Sequence, residues 1–444
     1  MAKVKTSVIV QLAILVLAAV AAGVSCIWSH EIELKTGLLH EEEVILAEGI
    51  SGSLSVYYVD VGQGDCTVIS LPDGKTIIID GGENNKKTET AIDSFIAETF
   101  TDFKYFDYAI LTHPDSDHCG SLDYALEKYP ARVSYRPNVE AVGTNANPTV
   151  DPGKADLSPG AVTKNTAAYA KCITAMYAEN ADFTPTVYVT DPADENQTIS
   201  GGEGDDYYSL TFFSPLSKDY SDWNDYSPIM ILEYRGFKFA MSGDAEKANE
   251  AEFVAKVNAA KTDGVTDKYD IFTDDFCVNA IKTGHHGSRT STSQAYIDVM
   301  TTEDGAKNVY YIISCGDGNS YGHPHSETLD KLDGMNVPEA NILRTDKVGT
   351  ITLTVKEDGE EGDGYALFYG NSKSDQAPGK PSQPSEPEEP TEPPETKTVY
   401  VYYKLGEIDI TWPLVVWVAY AIFAVLVLSN LLVKPQAKRS GRKR

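Results

Sequence analysis

Six of the eight histidines fall in three tight pairs, His113/His118, His285/His286 and His323/His325; only His30 and His40 stand apart. Each pair follows a strand-like run. Tyr108-Ala109-Ile110-Leu111 precedes the first, Asn279-Ala280-Ile281-Lys282-Thr283-Gly284 the second, and Val309-Tyr310-Tyr311-Ile312-Ile313-Ser314 the loop of the third. Asp244, in Met241-Ser242-Gly243-Asp244-Ala245-Glu246, stands in the same relation to a fourth run. Imidazole and carboxylate together suit Zn or Mn. The pattern therefore predicts a centre for divalent cations assembled from strand ends. Its densest piece is Thr112-His113-Pro114-Asp115-Ser116-Asp117-His118, in which His113, Asp115, Asp117 and His118 can all ligate. At the edge of a sheet such ligands converge without opening the core. The competing reading is a polar turn capping the helix that opens at Cys119-Gly120-Ser121-Leu122.

Strands must position these groups. Residues 54–60, 66–71 and 75–80 read as strands, the last two joined at Pro72-Asp73-Gly74 as a hairpin. A helix is predicted over 88–100, a strand over 106–112 and a helix over 121–129. Residues 138–204, rich in Asn, Pro, Gly and Asp, hold a helix near 167–178 and a strand near 186–189. They read as an insertion or lid. Strands resume at 207–213, 228–234 and 237–242, and again at 342–345, 350–355 and 365–369. Strand runs followed by helices, twice over, predict an α+β fold of two facing sheets with helices outside, within residues 50–371.

The chain of 444 residues has a net charge of −29. Eight of its 37 bases lie in the terminal pieces (Lys3, Lys5, Lys434, Lys438, Arg439, Arg442, Lys443, Arg444) and none of its 66 acids does, which leaves the middle at −37. That charge repels polyanions at long range, so general coating of nucleic acid is not expected, although a local cationic site can hold a phosphate. Six cysteines without a CxxC pair exclude a zinc finger and favour buried free thiols.

Residues 7–28 carry no charge and follow Lys3 and Lys5, as a signal or N-terminal transmembrane anchor does. Residues 410–433 are apolar apart from Thr411, Ser429 and Asn430, long enough to span a bilayer, and lead into a basic tail, 434–444. The positive-inside rule puts both ends in the cytoplasm and the middle outside a bacterial cell membrane. Residues 372–397, rich in Pro, Ser and Glu, read as a semi-rigid stalk.

The motifs HPDSDH, SGDAE, TGHHGSRTSTS and YGHPH, in this order, resemble the metallo-β-lactamase superfamily. The opening VDVGQGDC and the late RTDKVGTITL narrow the resemblance to the C-terminal hydrolase domain of late-competence DNA-channel proteins of bacteria, over about residues 54–356. It implies a four-layer αββα sandwich with two divalent metal ions (Zn or Mn) at one edge. On that resemblance His113 and Asp115 hold the first ion, Asp117 and His118 the second, Asp244 bridges them and His285 completes the second site. Asp80 orients the ligands from behind. His286, His323 and His325 line the pocket as ligands or proton donors, with His286 and His325 beside Asp117 as the catalytic candidates. Asn224, Asp225 and Arg289 are further pocket candidates, Arg289 as a phosphate contact.

Two departures matter. Asp115 replaces the second His of the usual HxHxDH, which favours harder ions. No His lies between His118 and His285; the relatives carry an Asn-Asp-x-Ser stretch instead, here Asn224-Asp225-Tyr226-Ser227, so the first ion is expected to bind weakly. The expected activity is metal-dependent hydrolysis of a phosphodiester, either DNA or a phosphate-bearing envelope polymer, by cations that activate water and stabilise the leaving oxygen. The alternatives are a β-lactam or other amide/ester hydrolase, and a non-catalytic surface binding module on the same fold.

Overall fold

A computed structural model describes residues 52–143, 150–190, 197–217, 219–263, 267–357 and 365–373. The apolar segments 7–28 and 410–433, the basic tail and all but the first two residues of the stalk lie outside the described residues. Among the described residues no helix is long and apolar enough to cross a membrane.

The chain opens with β1 (Leu54–Tyr58), β2 (Thr67–Ser70), β3 (Thr76–Ile79), β4 (Phe106–Ile110) and β5 (Ala131–Arg136). A two-stranded parallel ribbon follows, β6 (Val139–Ala141) with β7 (Val162–Lys164), then β8 (Thr186–Val189). The second sheet is made by β9 (Thr198–Gly201), β10 (Tyr208–Phe212), β11 (Met230–Tyr234), β12 (Phe237–Met241), β13 (Ala280–Lys282), β14 (Tyr310–Ile313) and β15 (Ile342–Arg344). Finally β16 (Ile351–Glu357) and β17 (Tyr365–Asn371) return to the first sheet, whose order is β17-β16-β1-β2-β3-β4-β5-β8; the second runs β15-β14-β13-β12-β11-β10-β9.

Alternation along the strands explains the layering. In β3, Ile77 and Ile79 face the core between the sheets, with Val56, Tyr58, Leu210, Leu232 and Phe239. Ile78 faces the other way, beneath Ile92 and Ile96 of the helix Lys86–Thr99. On the far side Ile231, Ala240 and Ile281 meet Phe253 and Tyr296 from helices Lys247–Asp263 and Gln294–Met300. Strands buried on both faces read as continuous apolar runs, as Ile77-Ile78-Ile79 does. The described thiols Cys66, Cys119, Cys172, Cys277 and Cys315 are free, four of them buried.

The stretch 138–204 differs from the insertion or lid expected. It supplies β8 and β9, edge strands of the two main sheets. Its helix Ala167–Met176 buries Tyr169, Cys172, Ile173 and Met176 in the core under the first sheet. Edge strands need only one buried face, so their composition looks loop-like. Only the β6–β7 ribbon stands outside the sandwich proper.

Parallel pairing decides where the chemistry lies. β3 runs parallel to β4, and β12, β13 and β14 run parallel to one another. Their C-terminal ends, which lead into Asp80, His113, Asp244, His285 and Ser314, therefore gather at a common rim.

Glu250 ties a helix to that rim. Its carboxylate accepts the N–H groups of Thr292 (2.5 Å) and Ser293 (2.8 Å), and the Thr292 hydroxyl in turn accepts the N–H of Gly284 (2.8 Å). Burial pushes the Glu250 carboxyl up to about 7 despite those donors. The unfolded chain titrates near 4.5, so stability from this group is full below that pH and is lost as pH rises towards 7. Glu250→Gln should lack this slope. The stability difference between the two proteins in urea denaturation is expected to change by up to about 3 kcal/mol across the window.

Candidate metal centre

Asp80 follows β3 in the left-handed region (φ 59°) and turns its carboxylate back into the sheet edge. It accepts the N–H of Thr112 (2.8 Å), the hydroxyl of Thr112 (2.7 Å) and Nδ1–H of His118 (2.8 Å). His118 is thereby held in the tautomer that leaves Nε2 as a lone pair. His286 is held the same way, because Nδ1 lies 2.9 Å from the carbonyl of Ser314, which can only accept. Such partners behind an imidazole fix its orientation and raise its basicity toward a metal.

The two lone pairs face each other. His118 Nε2 is 3.3 Å from His286 Nε2 and 3.1 Å from Asp244 Oδ1. His286 Nε2 is 3.4 Å from Asp244 Oδ2 and 3.2 Å from Asp117 Oδ2. Ligands about 2.1 Å from a tetrahedral ion are about 3.4 Å from each other. Four donors at this spacing fit one divalent cation. Asp65, His118, Asp244 and His286 also lie within 4.8 Å of one another by a candidate ligand atom each. Asp65, however, lies against the Nδ1 edges of both rings, with Oδ1 3.2 Å from His286 and Oδ2 4.0 Å from His118 and 2.5 Å from buried Lys282. It braces the rings from behind, and Asp117, whose Oδ2 lies 3.2 Å from His286 Nε2, is the candidate for the fourth place.

A second position lies outward. His113 is fully buried; Thr112 and Ser227 hydroxyls flank its Nδ1 at 3.1 and 3.2 Å, and its Nε2 has no hydrogen-bond partner. That orphaned atom faces Asp115 Oδ2 and Asp244 Oδ2, each 4.0 Å away. An unpaired buried nitrogen between two carboxylates is costly without a cation. The donor set fits a second ion, with Asp244 common to both positions.

Electrostatics agree. Burial pulls the His118 imidazole down, yet Asp244 and Asp80 raise it well above its ordinary value; His286 is raised in the same way by Asp244 and Asp65. Burial pushes Asp244 up, yet His118 and His286 hold it well below the usual carboxylate range. His113 goes the other way, lowered by burial and by His118. The pocket demands positive charge from protons or cations.

The sequence expectation put His285 on the inner ion and His286 on the pocket wall; the structure reverses their depth. Both residues are left-handed (φ 49° and 55°), so consecutive side chains part company. His285 is half-buried, with Nδ1 2.9 Å from Glu246 Oε1 and Nε2 3.7 Å from Asp244 Oδ2. Burial lowers His285, but Asp244 and Glu246 raise it above its ordinary value. His323 is buried beside His285 and His286 (ring centroids 5.2 and 5.9 Å), its Nδ1 unpartnered. Burial and the neighbouring imidazoles lower it to about 4, so it is neutral at neutral pH. His325 stands farther out, its Nδ1 accepting the N–H of Arg289 (3.1 Å).

Three pocket candidates have other work. Exposed Arg289 pairs with Glu327 (3.2 Å), away from the cluster. Asp225 accepts the N–H groups of Glu246 and Asn249 at 3.0 and 3.1 Å, at the start of helix Lys247–Asp263. Asn224 donates to Glu246 Oε1 (3.3 Å), a step behind His285.

Four contributors lay inside the quoted motifs and runs without being named as site residues: Asp65, Lys282, Ser227 and Glu246. Asp65 ends the Gly62-Gln63-Gly64 loop, which is no phosphate cradle but a close-approach device. Gly64 has φ 117°, and a Cβ there would lie 2.3 Å from the carbonyl oxygen of Asp117. Only glycine lets this loop lie against the metal-binding segment, where Asp65 N–H bonds that same oxygen (3.1 Å).

A family profile described as the metallo-beta-lactamase superfamily matches residues 59–172, which include His113 through His118. The chain is 24% identical over 324 residues to ComE operon protein 3 of Bacillus subtilis, covering 69% of this chain and 34% of that protein. It is 26% identical over 276 residues to Recombination protein 2 of Haemophilus influenzae, covering 62% of this chain and 26% of that one. The chain thus spans about a third or less of the length of these relatives. The solved metallo-beta-lactamase fold protein YhfI from Bacillus subtilis aligns at 10% identity with a TM-score of 0.30, over 62% of this chain and 92% of that one.

Proposed function

We propose that this chain, which carries a metallo-β-lactamase superfamily domain, is a metal-dependent phosphodiesterase. The observation that supports this reading is the convergence of His118 Nε2, His286 Nε2, Asp117 and Asp244 on one point, with the orphaned His113 Nε2 beside it. Three carboxylates, Asp115, Asp117 and Asp244, make the donor set oxygen-rich. That suits Mn as well as Zn, and hard cations pair with phosphoryl oxygens. The relative named Recombination protein 2 favours DNA among phosphodiesters.

When bound, divalent cations supply Lewis acidity and lower the pKa of water. The residues do the rest. Asp80 and the Ser314 carbonyl keep His118 and His286 facing inward. Asp65, pinned by Lys282, stops His286 from turning. His285, its Nδ1 held by Glu246 and its ring open to solvent on one side, is placed to give a proton to the leaving oxygen. This role falls to His285 in preference to the buried His286 or the outlying His325. The same reading sets the domain outside a bacterial membrane, held by residues 7–28 and 410–433 through the stalk 372–397.

The test is metal content of the purified full chain, then assays on DNA, bis-nitrophenyl phosphate and a chromogenic cephalosporin. Cleavage of the first two, lost on chelation and restored by Mn or Zn, is expected. A metal-loaded chain that opens the cephalosporin and spares both phosphodiesters overturns the proposal.

A further inference from the structure

One lysine reaches the rim from the β6–β7 ribbon. Lys164 ends β7, where its carbonyl accepts the N–H of Val142 (3.0 Å). Its ammonium lies 2.5 Å from Asp115 Oδ1 and 3.6 Å from the centroid of the Trp223 ring. The lysine side chain is only 13% exposed, so this is no solvated surface pair. Asp115 presents its other oxygen to the orphaned Nε2 of His113. The carboxylate that closes the outer position is therefore already neutralised on one side.

Among the described residues no ammonium lies against a carboxylate of the inner position. The nearest ammonium there is that of Lys282, which is turned onto Asp65 behind the imidazoles. The two positions thus differ in charge as well as in ligands. An indole face beneath an ammonium adds cation–π attraction that a divalent ion entering beside it does not replace.

We propose that Lys164 stands in for charge at the outer position, so that the chain holds one divalent ion tightly and a second only loosely. This rests on the metal-centre reading above. The tight ion belongs to His118, His286, Asp117 and Asp244; the loose one belongs to His113 and Asp115 with Asp244. A phosphate approaching the rim then meets a fixed ammonium at the outer position. The sandwich edge supplies the ligands, and the ribbon sets how many ions they hold.

The experiment is calorimetric titration of the metal-stripped full chain with Mn. The wild type should show one tight ion and a second at least about tenfold weaker. Lys164→Met should tighten the weaker ion about tenfold or more, a change of the size expected for partners behind a ligand, and leave the tight ion unmoved. Lys164→Arg keeps the charge and should titrate like the wild type. If Lys164→Met does not fold, Trp223→Leu, which removes the ring beneath the ammonium, should move the weaker ion in the same direction. An unchanged or weakened second ion in the folded variant overturns the role of Lys164 and leaves the metal centre standing. Absence of any bound ion in the wild type overturns both.

Discussion

Asp244→Ala is expected to release both cations and to lower phosphodiester hydrolysis at least about a thousandfold. No other carboxylate among the described residues stands so near both positions. Its Oδ1 is 3.1 Å from His118 Nε2, and its Oδ2 is 3.4 Å from His286 Nε2 and 4.0 Å from His113 Nε2. Its backbone is fixed as well, since its N–H donates to Ser227 Oγ (3.1 Å), the hydroxyl that also touches His113. Removing it takes a ligand from each position and the charge that balances two buried imidazoles. Two measurements separate this from simple misfolding. Added Mn or Zn at about a hundredfold above its dissociation constant should stabilise the wild type by ~2.7 kcal/mol. In a domain of this size that is a rise of several degrees in Tm. Asp244→Ala should melt at one temperature with and without the ion. Asp244→Asn, which keeps the shape and loses the charge, should fall between. Hydrolysis that survives Asp244→Ala at the wild-type rate would remove the centre from the mechanism.

The legible part of this site was the part marked by rare residues at strand ends. Histidine is scarce here, and His113, His118 and His286 lie where β4 and β13 stop. Asp80, the polar residue that closes Ile77-Ile78-Ile79, was legible only through the family resemblance. The layered fold was legible because strands buried on both faces carry continuous apolar runs. What escaped depended on contacts between distant segments. Asp65 gains its meaning from Lys282 and from the glycine that lets its loop touch Asp117. Ser227 matters because it lies beside His113, which no spacing reveals. Asp225 and Arg289 have the right chemistry for a pocket, but one caps a helix and the other pairs outward with Glu327. The strand at 186–189 was legible as β8, but its place at the edge of a main sheet was not, and β9 was hidden in 138–204, because edge strands lack the apolar signature of central ones.

Neighbouring histidines are expected to separate binding from turnover. His286→Ala should weaken the tight ion about a hundredfold or more, since even partners behind a ligand are worth 10- to 100-fold. His286 is fully buried, its Nδ1 is committed to Ser314, and its Nε2 points at His118, Asp117 and Asp244. The imidazoles on its open side cannot replace it without moving: His285 and His323 are each 5.9 Å away between ring centroids. His285→Ala should leave that ion bound within about threefold and lower kcat by roughly 10²–10⁴, the usual worth of a positioned proton donor. Its Nε2 stands 3.7 Å from Asp244, and its Nδ1 is committed to Glu246, which Thr290 also grips at 2.8 Å. That pairing orients a half-buried ring toward an incoming substrate and adds little to holding a cation. Calorimetry on both variants beside a steady-state assay reads the two effects independently. Equal loss of the ion in both would return His285 to the ligand set and leave the proton donor to be sought at His323, whose Nδ1 is the remaining unpartnered imidazole nitrogen at the pocket wall.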